Sequence, residues 1–199
     1  QASNEELSDE INSDKHFRNR FIPFGIINPI YAGWKNDLDI CYKKFGMKGI
    51  RLYPQYHDYE LTDPSCIELV KMARDRGMIV AFTIRMVDSR PRHWMDLSKE
   101  WSLGSIIPVM KEVPDAKYMA LNISAGTLMN EKDTNIFRDS DILLDTSGKN
   151  IKNLGDLLKI FGKDKFAFGS HAPILDYLTG LLRIEALRAN EVDEHAKEL

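Results

Sequence analysis

The sequence repeatedly places polar side chains at the end of a short apolar segment. Arg51 and Tyr53 lie at the end of one such segment, and His171 directly follows another. Pro54 has no N–H to donate to a sheet and therefore ends the first segment, with His57 close behind it. Arginine can bind a carboxylate through two hydrogen bonds, and histidine can transfer a proton near neutral pH. These residue types indicate chemistry on a small anionic substrate.

Further residues that bind or ionise share this position at or just after an apolar segment. They are Asn28, Arg85, Asp88, His93, Asn122 and Asp145. In an α/β barrel the carboxyl ends of the parallel strands share one rim, and that rim carries the active site. We therefore predict catalytic roles for His171, Asp145 and Asp88. The predicted substrate-binding residues are Arg51, Tyr53, His57, Arg85, His93 and Asn122.

Each assignment has a structural alternative that the sequence leaves open. The two arginines can form structural ion pairs with the two aspartates and bind nothing else. His171 can donate to a neighbouring backbone group and only pack against the rim. His57 and His93 lie on loops, where a histidine is commonly solvated, although loops also carry many binding residues.

Six nearly continuous apolar segments, separated by helical patterns, position these residues. The segments begin near residues 21, 49, 78, 118, 141 and 166. Strands that alternate with helices pair in parallel, and an uninterrupted apolar segment is typical of a strand covered on both faces. Phe21–Ile27 shows this pattern, so we expect cover on both of its faces. No nucleotide-binding glycine motif follows any segment, and we predict a parallel, barrel-like α/β sheet.

Composition bounds the kind of protein and its partners. The chain has 199 residues, of which 43% are hydrophobic and 29% charged, and we predict a single domain over 1–199. A net charge of −3 argues against nucleic acid or an anionic membrane as a partner. No apolar run reaches the roughly 20 residues that span a bilayer. We expect a small-molecule substrate, and the sequence leaves the formation of a homo-oligomer open.

Two features bear on the compartment. The first residues are polar and acidic, which is not the pattern of a signal peptide. Cys41 and Cys66 both fall in helical apolar patterns, so we interpret them as reduced residues of the core. Together these observations predict a cytoplasmic protein.

Three segments in register resemble a known family. They are Phe24–Pro29, Gly46–Pro54 and Phe168–Pro173. Their order and spacing resemble the metal-dependent amidohydrolase superfamily, in the amidohydrolase-related branch that includes aminocarboxymuconate-semialdehyde decarboxylase-like enzymes. The resemblance implies a (β/α)8 TIM barrel and a hydrolase or decarboxylase that acts on a small carboxylated or cyclic substrate. The first strand here matches the third strand of the family, so about six of the eight βα units are expected in this chain.

The chain departs from the family at the positions that hold its metal. The resemblance implies a His-x-His motif, which this sequence lacks. Where the family has a metal-binding histidine after the fifth strand, this chain has Arg85, and where the last strand ends in aspartate it has His171. A divalent metal such as zinc is therefore expected only with ligands supplied by a longer protein. The alternative is a metal-free barrel that binds a small anionic ligand without catalysis.

We predict that the 199-residue chain binds zinc weakly or not at all. His171 is the one candidate ligand at a strand end, with His57 or His93 as the only plausible additions, whereas a catalytic zinc needs at least three protein ligands. Elemental analysis after dialysis measures the metal content directly. One tightly held zinc per chain would contradict this prediction.

Overall fold

Six parallel strands form one sheet in the order in which they occur along the chain. The computed structural model describes residues 2–84, 101–123, 129–148 and 154–191. Within these residues the strands are β1 (Phe24–Ile26), β2 (Gly49–Leu52), β3 (Ile79–Thr83), β4 (Lys117–Leu121), β5 (Ile142–Asp145) and β6 (Phe166–Ala167). Gly25 pairs with Ile50 and Ile50 with Val80, all in parallel. The predicted parallel α/β sheet of TIM-barrel type is confirmed for these six strands.

Helices alternate with the strands throughout the described parts of the chain. They are α1 (Ala2–Ser13), α2 (Lys15–Arg18), α3 (Trp34–Lys43), α4 (Pro54–His57), α5 (Pro64–Asp75), α6 (Ile107–Glu112), α7 (Glu131–Asp139), α8 (Leu154–Phe161) and α9 (Tyr177–Glu185). Short 3-10 turns occupy Leu103–Ile106 and Lys163–Lys165. The sequence patterns predict neither the single turn α4 nor α7. None of the described helices is long and apolar enough to cross a membrane.

The chain divides into two compact units. The first comprises residues 1–82 and 108–118, and the second comprises residues 83–107 and 119–199. Each unit contains strands with the helices that cover them. The single domain predicted over 1–199 stays a prediction.

The core of the first unit is built on the buried faces of its strands. Ile50 and Val80 are fully buried, and the thiols of Cys41 and Cys66 are buried and free, as expected. Burial raises the pKa of Cys41 to about 11 and that of Cys66 to about 12. Gly25 allows α3 to approach β1 closely, since a Cβ at this position would lie 2.7 Å from the Sγ of Cys41.

The core of the second unit contains an aromatic cluster under β5 and β6. The rings of Phe137 and Phe161 meet edge to face at 5.8 Å, and Phe166 lies 6.5 Å from Phe161. Such edge-to-face pairs add to the free energy gained by burial. Gly162 ends α8 with a φ of +97°, a conformation that glycine adopts without the steric penalty of a Cβ.

The start of the first strand differs from the expectation. We expected Phe21–Ile27 to be a strand covered on both faces, but β1 is limited to Phe24–Ile26. Pro23 cannot donate to a sheet, and Phe21 and Ile22 are 57% and 68% exposed. β1 stands at one end of the strand order, so it has a strand neighbour on one side only among the described residues. Within β1 itself, Ile26 is 41% exposed, so one face of the strand is open and the expected cover on both faces is wrong.

The side chain of Asn4 lies at the edge of β1 that has no strand neighbour among the described residues. Its Nδ2 atom donates to the carbonyl of Ile26, and its Oδ1 atom accepts from the Ile26 N–H, both at 2.8 Å. Asn4 is only 3% exposed, although it belongs to the polar helix α1. The amide therefore satisfies two backbone groups that a further strand would otherwise bind.

We predict that Asn4→Ala lowers the free energy of unfolding by about 1–3 kcal/mol, because it leaves the two backbone groups of Ile26 without this partner. Chemical denaturation of both proteins measures the difference. Asn36→Ala, at an exposed position in the first turn of α3, is the matched control and should leave the midpoint nearly unchanged. Equal midpoints for all three proteins would show that the Asn4 contacts contribute nothing.

Candidate functional site

The second unit brings together three of the predicted residues at the ends of consecutive strands. They are Asn122 after β4, Asp145 at the end of β5 and His171 after β6. The Asp145 carboxylate is buried and accepts hydrogen bonds from the Asn122 N–H at 2.6 Å and from the Ser147 hydroxyl at 2.6 Å. The Ser147 N–H also donates to it, at 3.3 Å. These donors hold the carboxylate at the strand ends.

The environment of Asp145 changes its acidity. Burial raises the pKa of Asp145, because a charged carboxylate loses its hydration there. The hydrogen bonds from Ser147 and Asn122 and the nearby His171 act in the opposite direction and offset part of this effect. A carboxyl group with a raised pKa is better suited to exchange a proton near neutral pH than an exposed one.

Asn122 links this carboxylate to His171. Its side-chain Nδ2 atom lies 3.5 Å from Nε2 of His171. An amide group carries both a donor and an acceptor, so the Asn122 side chain can bond to this ring nitrogen whether or not the nitrogen carries a proton. The backbone N–H of Asn122 thus contacts the Asp145 carboxylate, and the Asn122 side chain contacts the imidazole.

Both residues of this contact have a strained backbone. Asn122 and His171 each have a φ of +56°, in the left-handed region that residues other than glycine rarely adopt. Asparagine tolerates this region better than histidine does. Such conformations persist only where the surrounding structure holds them, and they concentrate at functional sites. The turn after β6 is held by a hydrogen bond from the Leu175 N–H to the carbonyl of His171, at 3.0 Å.

Several residues of this cluster are absent from the sequence-based prediction. A Cβ at Gly169 would lie 2.6 Å from Oδ2 of Asp145, so the carboxylate packs directly against the backbone of Gly169. The Gly169 N–H donates to Oγ1 of Thr146 at 3.1 Å. Ser147 and Thr146 directly follow the aspartate at the end of β5. The expectation that functional residues lie at strand ends, here called the strand-end rule, could therefore have included them. Gly169 carries no functional side chain and gives no such signal.

Arg183 is a further missed residue, and it comes from a helix. It lies on α9, is half-buried, and donates to the carbonyl of Thr146. Burial lowers the pKa of Arg183, while the charge of Asp145 opposes that change. A cation thus lies close to the buried carboxylate. No strand-end pattern could have identified it, because its position depends on how α9 packs.

The first unit places three other predicted residues next to one another. The guanidinium of Arg51 lies 5.1 Å from the ring centre of Tyr53, and the ring of Tyr53 lies 6.4 Å from that of His57. The Nδ1 atom of His57 is buried and has no hydrogen-bond partner among the residues that the structure describes. Burial lowers the pKa of His57, so this side chain favours the neutral imidazole.

A cavity of about 500 Å³ opens beside His57 in the first unit. His57 and Asn28 line it together with Asp37 and the exposed ring of Tyr31. Its size is within the range of small-ligand sites. The roles assigned to Arg51, Tyr53 and His57 in binding a substrate stay predictions.

Three predicted residues lie outside the part of the chain that the structure describes. They are Arg85, Asp88 and His93. For Asp145 the structural alternative was an ion pair with an arginine, and the hydrogen bonds recorded to its carboxylate come from Asn122 and Ser147. The catalytic roles of Asp145 and His171 also stay predictions.

The described residues do not by themselves fit a catalytic metal. Within the ranges that the structure covers, no three histidine, cysteine, aspartate or glutamate side chains come together. The cluster in the second unit offers one carboxylate and one imidazole, whereas catalytic zinc takes at least three protein ligands. We therefore derive no chemical step through a metal.

Comparison with known proteins identifies the fold. No family model matches the sequence, and no curated protein matches it. A proposed amidohydrolase from Staphylococcus aureus has 14% identity and a TM-score of 0.69, over 99% of this chain and 75% of that one. The 5-carboxyvanillate decarboxylase LigW from Sphingomonas paucimobilis has 14% identity and a TM-score of 0.70, over 98% and 67%.

A third structure in this group contains a metal. The dihydroxybenzoic acid decarboxylase from Polaromonas sp. JS666, solved with bound manganese and the inhibitor 2-nitroresorcinol, has 13% identity and a TM-score of 0.68, over 99% of this chain and 70% of that one. These are proteins of the kind that the three sequence motifs resemble, so the fold implied by that resemblance is confirmed. At such low identity the likeness concerns the fold alone.

We predict that Ser147→Ala raises the pKa of Asp145 further, because the serine hydroxyl opposes the effect of burial. A group whose pKa is raised by folding stabilises the folded state at low pH and loses that contribution as the pH rises from its ordinary value through the folded-state pKa. The loss of unfolding free energy caused by Ser147→Ala should therefore be larger at neutral pH than at pH values near the ordinary pKa of aspartate.

Denaturation of both proteins across pH, together with carbon-13 NMR titration of the Asp145 carboxyl, measures this effect. Ser13→Ala is the matched control, since the Ser13 hydroxyl is exposed and donates to the carbonyl of Glu10. A difference that is constant with pH, or an unchanged carboxyl titration, would contradict the prediction.

Proposed function

We propose that this chain is part of an enzyme of the amidohydrolase type that acts on a small carboxylated or cyclic substrate by hydrolysis or decarboxylation. The observation that carries the proposal is the cluster of Asp145, Asn122 and His171 at the ends of three consecutive parallel strands. Functional groups of TIM-barrel enzymes occupy this position. Because the structural neighbours have low sequence identity to this chain, their activities support the proposal but do not carry it.

The proposed roles follow from the geometry of the cluster. His171 is half-buried and is the proton-transfer group closest to solvent, so its imidazole is the candidate to meet a substrate. Asp145 is buried behind it and acts through Asn122, which fixes the orientation of the ring. This arrangement lets His171 give or take a proton while Asp145 stabilises the positive ring.

Decarboxylation suits this arrangement because it needs a single proton at a defined carbon. The bond between a carbon of the substrate and its carboxylate breaks, and carbon dioxide leaves. The electron pair that remains on the substrate carbon takes a proton from the imidazolium of His171. Solvent then returns the proton to the imidazole. In hydrolysis the same imidazole would act as a base and remove a proton from the attacking water.

The substrate class is proposed from charge. Two of the neighbours are named as decarboxylases of aromatic carboxylates, 5-carboxyvanillate and a dihydroxybenzoic acid. An arginine can bind a carboxylate through two hydrogen bonds, and Arg183 lies in the cluster of the second unit. A divalent metal, if the protein binds one, would supply a further positive charge to orient the substrate carboxylate.

A second candidate function is a barrel that binds a small anion without turnover. The described residues bring together no three metal-ligating side chains, and this favours the second function. The two functions differ in one measurement, since both predict binding of an aromatic carboxylate and only the first predicts release of carbon dioxide or a hydrolysed product.

We predict that His171→Asn lowers the turnover number at least about 100-fold, the typical contribution of a general acid or base, with little change in stability. Asparagine tolerates a φ of +56°, so the substitution removes the imidazole without adding backbone strain. The assay measures carbon dioxide release from 5-carboxyvanillate and 2,6-dihydroxybenzoate, with and without added manganese, beside thermal unfolding.

His16→Asn, an exposed histidine near the amino end, is the matched control and should leave turnover unchanged. A His171→Asn protein that unfolds like a core cavity mutant would make His171 a structural residue. Binding of these carboxylates by calorimetry, without any turnover by the unmodified protein, would favour the second function.

A further inference from the structure

The cavity of about 500 Å³ in the first unit is formed by elements that lie far apart along the chain. Its lining comes from α1, from the end of β1 and the turn after it, from the first turn of α3 and from α4. All of these residues belong to the first unit. The cavity is therefore a candidate binding site that the first unit forms on its own.

The lining of this cavity is acidic. Among the described residues that line it, Asp37 is the only one with a charged side chain at neutral pH, and none is a lysine or an arginine. Burial lowers the pKa of His57, so the imidazole in this lining favours its neutral form. A site with this charge attracts cations and repels carboxylates.

Two cations close to the cavity make other contacts. Lys35 precedes Asp37 by two residues and forms an ion pair with Glu68. Arg51 lies beside Ile26 in the register of β1 and β2, but it is not among the lining residues. Its guanidinium lies 5.1 Å from the ring centre of Tyr53. Neither side chain supplies a positive charge to the lining.

Asp37 is a half-buried acid that lacks a counter-ion within the described parts of the chain. No hydrogen bond or ion pair of its carboxylate is recorded there. Asp39 on the same helix differs, since it accepts from Lys43 at 2.8 Å and from Arg76 at 2.7 Å. A partly desolvated carboxylate without a partner is unfavourable. A cation bound in the cavity would offset this cost.

The amide side chains of the lining divide into engaged and available groups. Both polar atoms of Asn4 bind the backbone of Ile26, and Oδ1 of Asn28 accepts from the Ile30 N–H at 3.1 Å. Asn36 is exposed in the first turn of α3, and no contact of its side chain is recorded among the described residues. Its amide oxygen is therefore available to a ligand.

The available groups of the lining include enough acceptors for an ammonium group. A primary ammonium has three N–H donors and no acceptor. The carboxylate of Asp37 accepts, a neutral imidazole at His57 accepts at one nitrogen, and the amide oxygen of Asn36 accepts as well. Nδ1 of His57 is buried and has no hydrogen-bond partner among the described residues. The number of acceptors thus matches the number of donors.

An aromatic ring and an aliphatic side chain complete the lining. The Tyr31 ring is 61% exposed and packs over Gly33, where a Cβ would lie 3.1 Å from Cε1 of the ring. Ile26 is 41% exposed in the same lining. The face of a tyrosine ring attracts cations, and both side chains can pack against the apolar body of a ligand.

We propose that this cavity binds a small primary amine in its ammonium form, with the charged group on Asp37 and His57 and the apolar body on Tyr31 and Ile26. His57, which the sequence predicts to bind an anionic substrate, is thereby assigned to a cation. The amine is a second ligand beside the carboxylated substrate of the proposed function. The proposal does not depend on that function, whose cluster lies in the second unit.

Three ligands of nearly equal shape test the class of ligand by calorimetry on the full chain. Benzylamine is a cation at neutral pH, benzyl alcohol is neutral and benzoate is an anion. We expect benzylamine to bind with a dissociation constant of about 1 mM or lower, and the other two at least about 10-fold more weakly. The amino terminus is acetylated in every sample, because a free terminal amine two residues before Ser3 would itself be a cation.

Two matched variants of α3 test the role of Asp37. Asp37→Asn should raise the dissociation constant of benzylamine at least about 10-fold, since it replaces a charge-assisted hydrogen bond with a neutral one. Asp39→Asn removes the same charge from the same helix outside the lining and should leave the dissociation constant unchanged. In NMR spectra, benzylamine should shift the imidazole signals of His57 and leave those of the exposed His16 in place.

Several results would overturn the proposal. One is the absence of benzylamine binding up to about 10 mM, a weak affinity even for so small a ligand. Another is equal affinity for benzyl alcohol or benzoate, which would show that positive charge is not selected. Equal weakening by both variants, or unchanged His57 signals, would place the amine outside the cavity. The assay of carbon dioxide release is separate, so each proposal can fail without the other.

Discussion

The strand-end geometry of the second unit depends on one buried carboxylate. Burying an ionised carboxylate costs several kcal/mol unless hydrogen-bond donors replace the lost water. Asp145 receives three such donors from Asn122 and Ser147, and it can approach β6 only because Gly169 has no side chain. Burial still dominates, as the raised pKa of Asp145 indicates. The same hydrogen bond that satisfies the carboxylate positions Asn122, which in turn contacts His171. One desolvated group thus ties together the ends of β4, β5 and β6.

The sequence is informative about the strands because their burial leaves a strong local signal. An apolar run without polar alternation is typical of a covered strand, so the six strands and their parallel pairing are predictable. The ends of these strands are harder to predict from the sequence. Phe21–Ile27 is apolar throughout, yet β1 comprises only Phe24–Ile26. Pro23 marks its start, but the position of β1 at the end of the strand order leaves no trace in the sequence. α7 is missed for the opposite reason, because its polar sequence contains few apolar residues to mark a helix.

The candidate site is predictable to the extent that the strand-end rule applies. That rule locates Asn122, Asp145 and His171, whose contacts then depend on the register of neighbouring strands. It cannot locate Arg183, which reaches the cluster from the side of a helix, or Gly169, whose contribution is the absence of an atom. The left-handed backbone at His171 is also invisible in the sequence, since histidine is not a residue that signals such a turn. What the sequence misses is therefore mostly the packing that brings separate elements together.

The contact of Asn4 with β1 has a consequence for how the chain behaves at high concentration. The unpaired edge of a sheet is a template on which another polypeptide can add a strand. Ile26 presents both of its backbone groups at such an edge, and the amide of Asn4 already binds both. A foreign strand can pair at this point only after α1 has moved away. The amide of Asn4 therefore protects β1 against fibril-like assembly, and the protection lasts only while α1, whose Glu5 also pairs with Lys44, stays bound.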